Sequence, residues 1–441
     1  MRSPDDPMPD RPMPDRQLPA DLPPGSGPRG QAETPAPRRA VLLSGHYYAS
    51  RRRANFHFLA DALVAQGWDV TFATTQISPI SRLRGDPRFE YPVRAEANRP
   101  VPVRPGLTSH VWYTPYHVFH LRHPLADRLT LPLAALWARL PMPGLEQALR
   151  RADLVVVEST GALLLVERIR RLNPRARLVY RVSDDIRNLG QHRAVIAAEE
   201  RVAPLFDLIS APSRYSVERF AALGTARLHP HGIDAAAFDA PCPDPYRALR
   251  GGGTGGGLRG GGLHAVSVGH SFYDPELVAV AAEQFPHWTF HVIGRVPRTG
   301  DRPNIRWYGE MPFRETIPYI VHADIGLAPY TYREGAETLA DSSLKLMQYT
   351  WCRLPAVAPD FATRPDRPHV VGYRPGDRAS IRHALLAAAK VDRAGISRAG
   401  IAGWDALARR IAGPDDAPAD DAPVPETGQE APWPAAAGYG R

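Results

Sequence analysis

The stretch GGGTGGGLRGGG, Gly251 to Gly262, holds nine glycines in twelve positions, which gives it too little side chain to bury and too much backbone freedom for a helix or strand. The chain reads alike on its two sides. Before it, apolar runs bounded by turn residues (Ala40 to Ser44, Asp69 to Thr75, Leu154 to Glu158, Arg177 to Val182, Leu205 to Ala211) alternate with helical stretches. After it the alternation restarts with Ala265 to Val268, Thr289 to Ile293, Ile305 to Tyr308, Ile325 to Pro329 and Pro355 to Ala358, and with helices near 275–284, 314–322 and 342–351. Apolar runs of this length with helices between them read as parallel strands. The spacing predicts two doubly wound α/β domains in series, hinged near residues 235–263.

The chain then divides into an N-terminal Rossmann-like domain at 39–235, a linker with the glycine tract at 236–263, a C-terminal Rossmann-like domain at 264–390 and a helix at 391–411 packing back on the first domain. Residues 1–38 hold eleven prolines and a repeated Met-Pro-Asp-Arg (Met8 to Arg11, Met13 to Arg16), and residues 412–441 are rich in Ala, Pro and Asp. Neither segment has apolar periodicity, so both are expected to be disordered tails. The first residues lack the apolar run of roughly 7 to 15 residues that a secretory signal requires. Two cysteines, Cys242 and Cys352, offer neither a disulfide framework nor metal-ligand spacing. The expected setting is the cytoplasm or the membrane face that adjoins it. A net charge of +8 predicts an anionic partner without naming it.

Open α/β sheets bind ligands beyond the carboxyl ends of their strands. No GxGxxG follows a predicted strand and no GxxxxGK[ST] occurs, which removes the main support for a dinucleotide oxidoreductase or a P-loop nucleotidase. Asp-x-Asp is also absent, so positive protein groups are left to neutralise any phosphate. Among 54 Lys and Arg residues only two are lysine, and one of them, Lys345, follows Asp341, Ser342 and Ser343 into the first turn of a helix. All three are N-cap residue types. A cation there is mildly repelled by the helix N-terminus unless an anion joins it. One reading is a solvated surface lysine. The other is a pyrophosphate site where backbone N–H groups, the helix dipole and a point charge converge, with Gln348 on the same face.

Asp184 and Asp185, after the run Arg177 to Val182, are the best placed groups for acid/base work on a substrate hydroxyl. One of the pair can instead cap the helix that follows. His46 and His231, in loops after other strands, are further base candidates. Residues 110–145 mix Trp112, Tyr113, Tyr116, Phe119 and Trp137 with Arg122, Arg128 and Arg139. The charge-free run Leu129 to Ala138 is far shorter than the roughly 20 residues that span a bilayer. The segment reads either as an interfacial one on anionic lipid or as a buried helix with a loop. Arg51, Arg52, Arg53, Arg82 and Arg84 add positive charge to the same domain and tilt the reading toward the membrane.

At these residues the chain resembles the bacterial xanthan-type glucuronosyltransferases, members of glycosyltransferase family 70. The likeness runs from Val41 to Lys390 through SGHYYASRRRANFHFLADAL, YRVSDD, HPHGID, VSVGHSFYDP, FHVIG, YGEM, LAPY and LADSSLKLMQY. The resemblance implies the GT-B fold, with two Rossmann-like domains facing each other across a cleft. It implies inverting, metal-independent transfer of glucuronic acid from UDP-glucuronic acid to a polyprenyl-diphosphate-linked oligosaccharide in exopolysaccharide synthesis. No further cofactor and no nucleic-acid partner are implied. The enzyme would sit peripherally on the inner face of the cytoplasmic membrane, against its anionic surface. Carried over residue by residue, the base is Asp184, with Asp185 as the alternative, and Asp234 is a further acidic position at the cleft. Ser271, Glu310 and Met311 match nucleotide contacts. Tyr330 lies by the diphosphate, and Ser343, Lys345 and Gln348 form the helix-start cluster. Ser271 stands where the family touches uracil through a side chain, so contact through backbone is expected. Two rival readings keep part of this: the same fold with another UDP-sugar, and a non-catalytic membrane-bound subunit of polysaccharide assembly.

Overall fold

Two parallel sheets, each with a hydrophobic core on both faces, organise the chain. The computed structural model describes residues 37–50, 53–119, 124–187, 191–250, 262–333 and 335–413. The glycine tract up to residue 261, residues 1–36 and 414–441 of the expected tails, and Arg51, Arg52 and Arg122 lie outside the described residues.

The first sheet contains β1 (Arg39–Ser44), β2 (Asp69–Ile77), β3 (Pro100–Arg104), β4 (Leu107–Tyr113), β5 (Leu154–Glu158), β6 (Arg177–Arg181), β7 (Leu208–Ala211) and β8 (Ala226–Leu228), in the order β3-β4-β2-β1-β5-β6-β7-β8. Only the edge pair β3 and β4 is antiparallel. The second contains β9 (His264–Val268), β10 (Thr289–Ile293), β11 (Ile305–Gly309), β12 (Ile325–Leu327), β13 (Ala356–Pro359) and β14 (Val370–Tyr373), in the order β11-β10-β9-β12-β13-β14, all parallel. Alternate residues of a strand feed opposite cores, so burial on both faces demands an unbroken apolar run. In β1, Val41 and Leu43 enter one core while Ala40 and Leu42 enter the other. β5 divides in the same way, with Val155 and Val157 opposite Leu154 and Val156.

The strand order reverses beside β1 in the first sheet and beside β9 in the second. Crevices open at such reversals, beyond the carboxyl ends of the strands. The helix Trp404–Ala412 covers part of the first sheet: Trp404, Leu407, Ala408 and Ile411 enter its core, and Trp404 stacks on Phe58 at 5.3 Å between ring centroids. Phe58 also meets Phe313 of the second half edge-on, at 5.5 Å. Gly232 is glycine because a Cβ there would lie 2.7 Å from the Trp404 backbone.

Four strands, β3, β4, β8 and β14, were not legible as apolar runs. Within residues 110–145 the two tryptophans belong to the core and not to an interfacial surface. Trp112 belongs to β4 and Trp137 to the helix Leu131–Trp137, and both are fully buried with ring centroids 4.7 Å apart. Each indole finds an acceptor inside the protein, Pro141 O at 2.9 Å and Thr114 Oγ1 at 3.2 Å, so neither needs a polar membrane boundary for its N–H. The exposed apolar groups of this region are instead Leu129 (80%), Leu131, Leu133 and Leu136.

Candidate active site

The carboxyl ends of β1, β5 and β6 build one wall of a cleft. Glu158 ends β5 as a buried carboxylate that gathers the neighbouring loops. Its Oε2 accepts from the Ser44 hydroxyl (2.6 Å) and the Gly45 N–H (3.1 Å), and its Oε1 from the Ser183 hydroxyl (3.3 Å). The Ser159 hydroxyl oxygen accepts the backbone N–H groups of Ser183 (3.1 Å) and Asp184 (3.2 Å). These bonds turn the chain after β6 so that Asp184 borders the cleft. Its side chain is accessible from the cleft, while the protein around it displaces most bulk water. Its pKa is raised, chiefly by that desolvation and then by the charge of Glu158, with His46 opposing. His46 Nε2 lies 3.8 Å from Glu158 Oε1.

Asp185 has different obligations. Its Oδ1 accepts the Arg187 N–H at 2.9 Å and sits 3.7 Å from Arg219 Nη1, and Arg219 is paired with buried Glu199. The structure thus separates two carboxylates that sequence alone leaves equivalent. His231 is buried, and its Nδ1 accepts from Arg181 Nη2 at 3.0 Å. Burial pushes its pKa far down, and the Arg181 charge adds to the shift. That geometry makes it a structural acceptor. Asp234 caps the helix Ala235–Asp239 by accepting the Ala237 N–H at 3.2 Å.

The opposite wall is built beyond β12. The helix Leu339–Ser342 breaks at Ser343, which takes extended geometry and caps the helix Leu344–Trp351 by accepting the Leu346 N–H at 3.2 Å. The Ser343 hydroxyl also shares a 2.6 Å hydrogen bond with the Tyr330 hydroxyl. Tyr330 is buried, and burial pushes its pKa up to about 12. Lys345 places Nζ 5.0 Å from the Tyr330 ring centroid, close enough for a cation–π contact. It forms no ion pair among the described residues, and desolvation pushes its pKa down to about 7. Gln348, three residues further along the same helix, is buried.

Beside Lys345 lies a backbone cradle that no local motif announces. Gly269, Gly294 and Gly309 follow or end β9, β10 and β11, and all three have positive φ. The Gly294 N–H donates to Gly309 O (2.7 Å) and the Gly269 N–H to Ile293 O (2.8 Å). A Cβ on Gly294 would lie 2.6 Å from Gly269 O, so only glycine lets the two loops approach. A Cβ on Gly269 would stand 3.9 Å from Lys345 Cε, which places the cradle against the lysine stem. Ser271 is exposed in the first of these loops. Glu310 and Met311 follow β11 at the sheet edge: Glu310 pairs with Arg295 at 3.4 Å, and Met311 packs partly on the core. The structure therefore brings Tyr330, Ser343, Lys345 and Gln348 together, sets Ser271 in the adjoining loop and leaves Glu310 and Met311 at the outer end of the cradle.

Between the walls, Asp184, Asp185, Pro212 and Ser213 face Phe272, Thr338, Leu339 and Ser342 across a cleft of about 540 Å³, counting its open mouth. A carboxylate of raised pKa on one side and an uncompensated cation with backbone donors on the other suit removal of a proton and uptake of an anion. Among the described residues, no group of three or more His, Cys, Asp or Glu could hold a metal ion. Sequence reasoning marked the polar loop at Glu158 and Ser159 but not their roles. Their one signal is the polar end of the run LVVVE.

Comparison with known proteins identifies the family and the fold. A family model described as glucuronosyltransferase GumK, N-terminal domain, matches residues 42–212. The UDP-glucuronate:glycolipid 2-beta-glucuronosyltransferase of Xanthomonas campestris pv. campestris is 35% identical over 357 residues, covering 80% of this chain and 84% of that protein. A putative teichuronic acid biosynthesis glycosyltransferase, TuaH of Bacillus subtilis (strain 168), is 24% identical over 362 residues, covering 76% of this chain and 85% of its own length. Among solved structures, an alpha,alpha-trehalose-phosphate synthase (UDP-forming) from Burkholderia xenovorans superposes with a TM-score of 0.55 at 13% identity, over 85% of this chain and all (100%) of its own. Anabaena HepE, solved in complex with UDP and glucose, gives a TM-score of 0.50 at 13% identity, over 85% and 95%. Likeness at such identity speaks to the fold, which is GT-B. The sequence relationship to the Xanthomonas enzyme goes further, and by it the chain belongs to the GumK family of glucuronosyltransferases.

Proposed function

We propose that this enzyme transfers glucuronic acid from UDP-glucuronic acid, with inversion and without a metal, to a polyprenyl-diphosphate-linked oligosaccharide in exopolysaccharide synthesis. The observation that carries the reading is the pairing of Asp184 on one wall of the cleft with the Tyr330, Ser343 and Lys345 cluster behind the other. Asp184 takes the proton of an acceptor sugar hydroxyl as its oxygen attacks the anomeric carbon from the face opposite UDP. The bond from that carbon to the diphosphate oxygen breaks, and the electron pair leaves with UDP. Lys345 and the helix-start N–H groups stabilise the negative charge that grows on the leaving group. Asp185 and Asp234 act as structural carboxylates in this scheme. Ser271, Glu310 and Met311 border the nucleotide end of the cradle.

Radiolabelled transfer from UDP-glucuronic acid into a lipid-extractable product, with membranes that carry the lipid-linked acceptor, tests the reading. Label entering the lipid phase from UDP-glucuronic acid and not from UDP-glucose is the expected result. Transfer from UDP-glucose alone moves the enzyme to another donor. A fold that UDP does not stabilise at all removes the catalytic reading, because a ligand at 100 times its dissociation constant adds about 2.7 kcal/mol.

A peripheral place on the inner face of the cytoplasmic membrane belongs to the same proposal. No described helix is long and apolar enough to cross a membrane. Leu129, Leu131, Leu133 and Leu136 are exposed within eight residues, and Leu83 (87% exposed) stands between Arg82 and Arg84. Apolar side chains flanked by arginines suit the boundary of an anionic bilayer. Serine at Leu129, Leu133 and Leu136 together is expected to reduce flotation with phosphatidylglycerol vesicles several-fold at unchanged thermal midpoint. Flotation equal to the parent would remove the patch from the membrane contact.

A further inference from the structure

We infer that Asp341 is a positioning residue that holds the two walls of the cleft together through one backbone hydrogen bond across it. The inference rests on the two-walled site proposed above, because the catalytic carboxylate and the donor cluster belong to different halves of the chain. Asp341 belongs to the helix Leu339–Ser342 in the second half, two residues before the Ser343 cap, and its side chain is 9% exposed. Its Oδ1 is ion-paired with Arg364 of its own half. Its Oδ2 accepts the backbone N–H of Arg214, in the first half, at 3.0 Å. The Arg214 side chain adds little, since it is 44% exposed with Nη1 4.0 Å away.

Arg214 is the first residue of the helix Arg214–Arg219, which follows the cleft-lining Pro212 and Ser213. The N–H at that helix position has no partner within its own helix. When the cleft is closed it reaches a buried carboxylate, a charge-assisted bond stronger than a neutral one. When the cleft opens, that carboxylate oxygen loses the one donor that the described residues of the other half give it. Asp341 thus ties the start of the Lys345 helix to the loop beside Asp184 and fixes the separation on which transfer depends. The sequence offers Asp341, Ser342 and Ser343 as alternative caps, but in the structure Ser343 caps alone and Asp341 is committed across the cleft.

Proline isolates this bond. It removes the N–H, is well tolerated at the first position of a helix, and requires an extended residue before it. Ser213 is already extended, with φ −132° and ψ 151°. The experiment compares Arg214→Ala, which keeps the N–H, with Arg214→Pro, which loses it, and with Asp341→Asn, in the full chain. Hydrogen exchange read by mass spectrometry at Thr338 to Ser343, which Arg214→Pro leaves unaltered in sequence, is expected to speed up several-fold in Arg214→Pro and Asp341→Asn. Arg214→Ala is expected to exchange like the parent. In transfer assays Arg214→Pro should lose about 10- to 100-fold in kcat/KM, the range for one hydrogen bond to a charged group. Arg214→Pro combined with Asp341→Asn should lose no more than the more severe of the two single changes. Equal exchange and equal kinetics for Arg214→Ala and Arg214→Pro, at a thermal midpoint like the parent's, would overturn the inference. Exchange that follows the expected pattern in a parent that transfers no glucuronic acid would keep it and remove the proposed donor instead.

Discussion

Asp184→Asn is expected to lower glucuronosyl transfer by about 10²- to 10⁴-fold, the contribution of a positioned general base. The amide keeps the shape of the carboxyl but cannot take a proton. Asp185→Asn is expected to act mainly on stability, since its carboxylate accepts the Arg187 N–H and neighbours Arg219. The reverse order, with Asp185→Asn abolishing turnover and Asp184→Asn tolerated, would move the base to Asp185. The pH profile supplies a second check. A base must be deprotonated, and the Asp184 pKa is raised by desolvation first and by Glu158 next. The acidic limb of kcat/KM therefore lies above the ordinary carboxylate range near 4. Glu158→Gln removes one of the groups that raise the pKa, so the limb should move to lower pH. A limb that stays in place would show that Glu158 does not influence the base. Thermal midpoints must accompany this variant, because Glu158 also takes hydrogen bonds from Ser44, Gly45 and Ser183.

How much of this was legible in the sequence follows from where the information sits. Strands β1, β5 and β10 are apolar runs because they are buried on both faces, and local pattern finds such strands. β3 escapes because Pro100 and Pro102 break the pattern, which an edge strand tolerates. β8 and β14 are three and four residues long, too short for any period to show. Lys345 is legible as an oddity, a cation at a helix start, and its location confirms the oddity without naming a ligand. The cradle is different in kind. Gly269, Gly294 and Gly309 are 25 and 15 residues apart in sequence, and only the pairing of β9, β10 and β11 brings them together. Trp112 and Trp137 misled because an aromatic residue beside arginines has the same composition in a core as at a membrane boundary. The difference lies in Pro141 O and Thr114 Oγ1, acceptors that folding alone supplies. Asp341 reads in the sequence only as a cap residue, since its partner N–H lies 127 positions away.

Lys345→Ala is expected to cost on the order of a hundredfold in kcat, the scale for loss of one preorganised electrostatic contact. The loss should fall more on kcat than on donor KM, because charge on the departing UDP grows toward the transition state. Desolvation has already pushed the Lys345 pKa down to about 7, and no described carboxylate is ion-paired with it. A bound diphosphate would supply the missing negative charge and raise the pKa again. The sign of the pH dependence follows. Below pH 7 the lysine is charged before UDP arrives, and binding needs no proton. Above pH 7 the free enzyme holds a neutral lysine, so binding must take up a proton, and affinity falls by up to about tenfold per pH unit until the bound pKa is passed. Calorimetric titration with UDP in two buffers of different ionisation enthalpy should therefore report uptake approaching one proton at about pH 8.5, and none in Lys345→Ala. Lys345→Arg stays charged throughout and should also take up none. Its planar fork differs from the compact ammonium, so it should not restore the parent rate. Parent-like turnover in Lys345→Ala, or unchanged proton uptake, would assign the stabilisation of UDP to the Ser343 helix start instead.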